Sequence, residues 1–214
     1  MKRIAVLFSG RIISYEKCFS HFQSIIDKYN PTFFLSLNLS EIDEYTKTFC
    51  EKFNIRNEQL NVEKTIVPES LNKISSCSNV KNTYSMFYHN YKAFCLIKKY
   101  QNNYNINFDV IVKYRADINS SEMLNLEDLD KDILYIPKGC DYGGLNDQIA
   151  YGDLNVMEKY CELGNGFIET LHFTKNVKYH PETLLLNYHK FYFSDIKINR
   201  PHFSYSLNSE RKHE

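Results

Sequence analysis

The chain has no tryptophan, no C-x-x-C pair, no excess of either charge and no long apolar run, and most of these absences remove a class of function. Lys plus Arg and Asp plus Glu each total 26 in 214 residues. No global field therefore favours nucleic acid or anionic lipid, and neither is expected as a partner. Recognition has to come from a local site. The six cysteines, Cys18, Cys50, Cys77, Cys95, Cys140 and Cys161, lack the spacing of a zinc site or a disulfide framework. They read as reduced thiols in a cytoplasmic protein. Met1-Lys-Arg leads straight into Ile4-Ala-Val-Leu-Phe8, too short for a signal core, and no later stretch approaches the ~18 apolar residues of a membrane span. The first strand is not followed by G-x-G-x-x-G, so there is no dinucleotide fingerprint.

What is present is an alternation of strand and helix signals. Residues 4–8 read as a buried strand closed by Ser9-Gly10-Arg11, and residues 15–29 carry apolar positions at helical spacing. Pro31 ends that helix, residues 32–37 give a second strand, and Ser40 is placed to cap a helix over 40–53. A short strand over 62–67 precedes a polar stretch, 68–82, with the composition of a lid loop. The spacing then predicts a helix over 84–100, with Lys92 at the border of its apolar face. Strands follow at 109–117, 133–136 and 149–151, and helices at 153–163 and 181–191. This order predicts an α/β sandwich with a mainly parallel central sheet and helices on both faces, in a single domain spanning 1–214.

Four constellations could carry chemistry. Ser9, Gly10 and Arg11 stand at the exit of the first strand, where a glycine permits close backbone approach and an arginine can meet phosphate; the other reading is a tight turn with a solvated arginine. In Asp109-Val-Ile-Val-Lys-Tyr-Arg-Ala-Asp117, alternation puts Lys113, Arg115 and Asp117 on one face and Val110, Val112, Tyr114 and Ala116 on the other. Such a row at a strand exit suits a phosphate with a Mn²⁺ or Mg²⁺ ion held by Asp117, or else Arg115 and Asp117 form a surface pair. Gly143-Gly-Leu-Asn-Asp-Gln148 presents Asn146 and Asp147 either to a sugar, with Asp147 as base or hydroxyl clamp, or merely as turn chemistry. His180-Pro-Glu182 offers a metal or sugar contact in His180, or an ordinary helix entry with Glu182 in the first turn.

Taken together, Leu7-Phe-Ser-Gly-Arg11, Phe34-Leu-Ser36, Ser85-Met-Phe-Tyr-His-Asn-Tyr-Lys92, residues 109–117, Asn146-Asp-Gln-Ile-Ala-Tyr-Gly152 and His180-Pro-Glu-Thr-Leu-Leu185 resemble, in this order, the GT-A-type glycosyltransferases of bacteria and large DNA viruses. The resemblance implies a GT-A-like (Rossmann-like) fold that moves a sugar from a nucleotide-diphosphate donor to a glycan or glycoprotein acceptor. Residues 1–117 would form the donor half and 118–214 the acceptor half. It implies a divalent metal near Asp117, and together with the residue readings above it gives donor contacts from Ser9, Gly10, Arg11, Lys92, Lys113, Arg115, Asp117, Asn146 and Glu182, catalysis by Asp147, and His180 as a second metal contact. The family's metal motif is Asp-x-Asp, and here Arg115 stands at the first Asp. Two other functions fit the same elements: a sugar-phosphate nucleotidyltransferase, against which stands the lack of a long Gly-rich loop, and a nucleotide-sugar-binding module without turnover.

Overall fold

A computed structural model describes residues 2–10, 12–74 and 79–208. Its centre is a seven-stranded sheet in the order β3 (Leu60–Val62), β2 (Thr32–Leu37), β1 (Ile4–Ser9), β4 (Val110–Tyr114), β7 (Ile149–Gly152), β6 (Ile133–Tyr135), β8 (Lys197–Asn199). β2 and β4 run parallel to β1, and β3 parallel to β2. β7 is antiparallel to both β4 and β6, and β8 is parallel to β6, so β7 alone is reversed. A two-stranded ribbon of β5 (Ile118–Asn119) and β9 (Ser206–Leu207) lies apart from this sheet.

Both faces of the sheet are buried, as the apolar run of β1 requires. Ile4, Val6 and Phe8 enter one core with α1 (Tyr15–Tyr29) and α2 (Glu44–Lys52). Ala5 and Leu7 enter the other with α3 (Val80–Tyr104), α4 (Leu154–Cys161) and α6 (Pro181–Tyr192). Phe8 meets Phe22 and Phe49 edge-on, with ring centroids 5.3 and 5.4 Å away, a favoured arrangement of aromatic quadrupoles. A short helix, α5 (Phe167–Glu169), continues into a wide π-type turn over Thr170–Thr174. No helix among the described residues is long and apolar enough to cross a membrane.

The mainly parallel α/β sandwich agrees with the sequence expectation, while several boundaries differ. The helix expected from residue 40 starts at Glu44, because the Asp43 carboxylate rather than Ser40 caps it, accepting from Thr46 N at 2.7 Å. α3 begins at Val80, capped by Asn79, so the expected lid stretch is shortened from its far end, and residues 69–73 coil into a 3₁₀ turn. Residues 75–78 of that stretch lie outside the described residues. β4 stops at Tyr114, which puts Arg115 and Asp117 in the turn after the strand.

Candidate functional site

The site is assembled at one edge of the sheet. Phe8 pairs with Tyr114 across β1 and β4, so these parallel strands end together, and Tyr114 pairs with Ile149 at the start of the reversed β7. The loop entering β7 therefore meets the turns leaving β1 and β4. Ligands of open α/β sheets collect at such an edge.

At the exit of β1, Ser9 is buried and donates its hydroxyl to Asn90 Oδ1 on α3, while Asn90 Nδ2 has no partner. Gly10 has φ +80°, a left-handed conformation suited to glycine, and its N–H donates to Ser36 O at 3.2 Å. Arg11 lies outside the described residues. Behind Ser9 runs a buried chain of polar groups. His89 Nδ1 lies 2.7 Å from Ser36 Oγ, its Nε2 lies 2.8 Å from Thr65 Oγ1, and Asn61 Nδ2 donates to Ser36 Oγ at 3.0 Å. Burial holds His89 down at about 4, so the ring is neutral, with one nitrogen donating and the other accepting. Lys92 pairs with Glu63 at 3.1 Å and is not gathered with the charges around Arg115.

The second group centres on the turn after β4. As alternation predicts, Val110, Val112, Tyr114 and Ala116 share one core. The expected outward row of Lys113, Arg115 and Asp117 needs correction. Lys113 is 1% exposed, and its ammonium donates to the carbonyl oxygens of Asp147 and Gln148, because this face of β4 is covered by α4 and the β7 loop. Burial lowers the lysine to about 8, with Asp147 opposing the shift. Asp117 is likewise buried, and Asn208 N donates to its backbone oxygen at 2.9 Å. Arg115 grips the Asp117 carboxylate with both arms, Nε to Oδ1 at 2.9 Å and Nη2 to Oδ2 at 2.6 Å. This bidentate pair is half-covered rather than a surface contact.

Facing it, the 139–148 loop is locked from within. Gly144 N donates to Asp141 O at 2.6 Å, Asn146 N to Asp141 Oδ1 at 3.0 Å, and Gln148 N to Asn146 Oδ1 at 2.8 Å. Leu145 N donates to Glu182 O at 3.0 Å, docking the loop on the first turn of α6, whose Pro181 occupies N1. Gly144 has to be glycine, since a Cβ there would sit 2.0 Å from Glu182 O. Asp147 and Glu182 are both buried; desolvation first, and the charge of Asp147 second, push the Glu182 carboxyl up to about 7. Glu182 Oε2 pairs with His180 Nδ1 at 2.6 Å, while the buried Gln148 Oε1 has no hydrogen-bond partner. Buried polar atoms left unpaired are costly unless a ligand or water completes them.

The expected metal ligands do not form a cage. Both oxygens of Asp117 are taken by Arg115, His180 lies against Glu182, and no three of His, Cys, Asp and Glu converge among the described residues. The structure thus brings together Lys113, Arg115, Asp117, Asn146, Asp147 and Glu182, with Ser9 and Gly10 at the neighbouring strand exit, and leaves Lys92 apart. Arg200, Tyr205 and Asp141 were not indicated by any motif. They belong to irregular stretches that carry no periodic signal.

Several solved glycosyltransferases share this arrangement of elements. The galactosyltransferase LgtC in complex with donor and acceptor sugar analogues matches at 12% identity and a TM-score of 0.50, over 85% of this chain and 69% of that one. A glycosyltransferase involved in glycosylation of the major capsid of PBCV-1 is 8% identical over 94% of this chain and 81% of that one, with a TM-score of 0.46. The apo-form glycosyltransferase GlyE of Streptococcus pneumoniae TIGR4 is 12% identical with a TM-score of 0.48; 94% of this chain matches 45% of that one. At these identities the likeness is one of fold, a GT-A-type mixed α/β sandwich. No curated protein matches the chain. A family model described as a domain of unknown function, DUF7796, matches residues 2–213, and the chain belongs to that family.

Proposed function

We propose that this protein is a glycosyltransferase that moves a sugar from a nucleotide-diphosphate sugar to a glycan or glycoprotein acceptor. The observation that carries the reading is the cluster of polar side chains around Asp147, in which Glu182 is buried and paired with His180 at 2.6 Å and Gln148 Oε1 is left without a partner. Hydroxyl groups can both donate and accept, and a sugar brings several of them at once. Glu182, poised near neutrality, can meet a hydroxyl in either role.

Arg115 supplies a fixed positive charge in the turn leaving β4, and a guanidinium suits the oxygens of a departing diphosphate. Its present partner Asp117 would release one arm as the anion arrives. Asp147 faces the transfer either as base or as clamp. As base it takes the proton of the acceptor hydroxyl while that oxygen bonds to the anomeric carbon, and the bond from that carbon to the diphosphate breaks with its electron pair leaving on the phosphate oxygen. As clamp it holds a donor hydroxyl and no proton moves to it. No step is assigned to a metal, since the donor set does not make a cage.

The test is incubation of the purified protein with a panel of nucleotide sugars in Mn²⁺, in Mg²⁺ and in a chelator. Slow hydrolysis of one donor is the expected result, and the chelator arm reads metal dependence directly. Pyrophosphate release from a nucleoside triphosphate and a sugar phosphate, with every donor left intact, would replace this reading by a nucleotidyltransferase. Binding of donors without turnover would reduce it to a recognition module.

A further inference from the structure

The segment after β8 runs back across the site and touches both of its loops. Arg200 donates from Nε to Ile136 O at 2.9 Å and from Nη2 to Pro137 O at 3.0 Å and to Asp141 Oδ1 at 2.6 Å. Lys138 N donates to Pro201 O at 3.0 Å. Four residues further on, the Tyr205 hydroxyl accepts from Asn146 Nδ2 at 2.7 Å. Ser120 Oγ donates to Ser204 O at 2.7 Å, β9 pairs with β5, and Asn208 N closes on Asp117 O at 2.9 Å. One stretch of chain therefore grips the loop bearing Asp147 at two points and the turn bearing Asp117 at its end. Tyr205 also lies within electrostatic reach of both Arg115 and Asp147.

We propose that residues 200–208 form a clasp over the site, in which Tyr205 and Arg200 are positioning residues that fix Asn146 and Asp141 and so set where Asp147 stands relative to the Arg115–Asp117 pair. Nothing in residues 200–208 needs to touch the reacting atoms. The inference rests on the glycosyl-transfer reading for its consequence in rate, though not for its consequence in loop order. Asn146 is the hinge of the argument: its side-chain oxygen accepts from Gln148 N, while its side-chain nitrogen is held by Tyr205 and, at 3.4 Å, by Pro137 O. Freeing the amide lets that side chain turn, and the turn that aims Asp147 loses its brace.

The test is Tyr205→Phe, which removes a single oxygen, read by amide hydrogen exchange over residues 144–148. Loss of the hydroxyl's hydrogen bonds to Asn146 and Cys140 should quicken exchange there by roughly fivefold or more, with β1 and α3 unaffected. Nucleoside diphosphate affinity should stay within about twofold while kcat for the donor falls, a split that general loss of structure does not produce. Arg200→Gln should loosen the same amides. Unchanged exchange at 144–148 in both variants would overturn the clasp, and so would acceleration spread evenly over the whole molecule. If the wild-type protein turns over no donor, the glycosyl-transfer reading fails by itself, and exchange still decides whether the clasp exists.

Discussion

Lys113 reaches from β4 to the approach of its antiparallel neighbour and donates its ammonium to the carbonyl oxygens of Asp147 and Gln148. Lys113→Met keeps the bulk of the side chain and deletes the donor, leaving two carbonyls unpaired in a closed interior. The expected cost is about 1.5–3 kcal/mol, from the loss of charge-assisted hydrogen bonds. Urea denaturation reads it; a midpoint unchanged from wild type would show that the Asp147 turn does not depend on this lysine.

The Arg115–Asp117 pair can be separated into its charge and its shape. Arg115→Gln alone strands a buried carboxylate, so it confounds binding with stability. The double variant Arg115→Gln with Asp117→Asn keeps both outlines and removes both charges. It should weaken nucleoside diphosphate binding by roughly ten- to a hundredfold, the worth of one charged hydrogen-bond pair to phosphate. Titration calorimetry checks this, and wild-type affinity in the double variant would take Arg115 out of the donor site.

Asp147→Asn preserves hydrogen-bonding capacity and removes the charge. Turnover should drop by about a hundredfold or more while nucleoside diphosphate affinity barely moves. The pH profile of the residual rate then assigns the role. A lost acidic limb identifies a base, and a retained limb with poorer discrimination between donor epimers identifies a clamp. Full activity with unaltered donor preference would return Asn146 and Asp147 to turn chemistry.

His89 makes stability depend on pH. Its folded value of about 4 lies below the ordinary 6.5 because burial disfavours the charged ring, a shift that Glu63 opposes and Lys92 reinforces. The unfolded chain therefore takes up the proton first. Stability is fully present above the ordinary value and is lost as pH falls toward 4, by on the order of 3 kcal/mol over that window. In His89→Gln that share of the acid sensitivity should vanish. Urea midpoints at pH 7 and pH 4.5 for both proteins test it, and an equal drop in both would remove His89 as the cause.

The parts of the fold that were legible in the sequence are those with a repeating pattern. Ile4 to Phe8 and the alternation from Val110 to Ala116 gave strands whose faces match the two cores. Strands of two or three residues, such as β5, β8 and β9, are too short to carry a period and are fixed only by pairing. The face on which Lys113 lies was readable, but not that α4 and a returning loop cover it, because burial is a property of what packs above. His89 has no ligand spacing in the sequence, and its partners Ser36 and Thr65 are brought to it by tertiary packing. Asp43 and Ser40 are both good caps, and local chemistry alone does not choose between them.

Ribosomes deliver a chain from its amino end, and the order in which this one is completed bears on when it can act. β1, β4 and β7 are all available once residue 152 has emerged, and with them Arg115, Asp117 and Asp147. β8, β9 and the contacts of Arg200, Tyr205 and Asn208 come last. A nascent polypeptide some fifty residues short of that point holds the charged groups without the segment that braces them. The turn of Asp147 therefore gains its contacts with Arg200 and Tyr205 only after synthesis has passed residue 205.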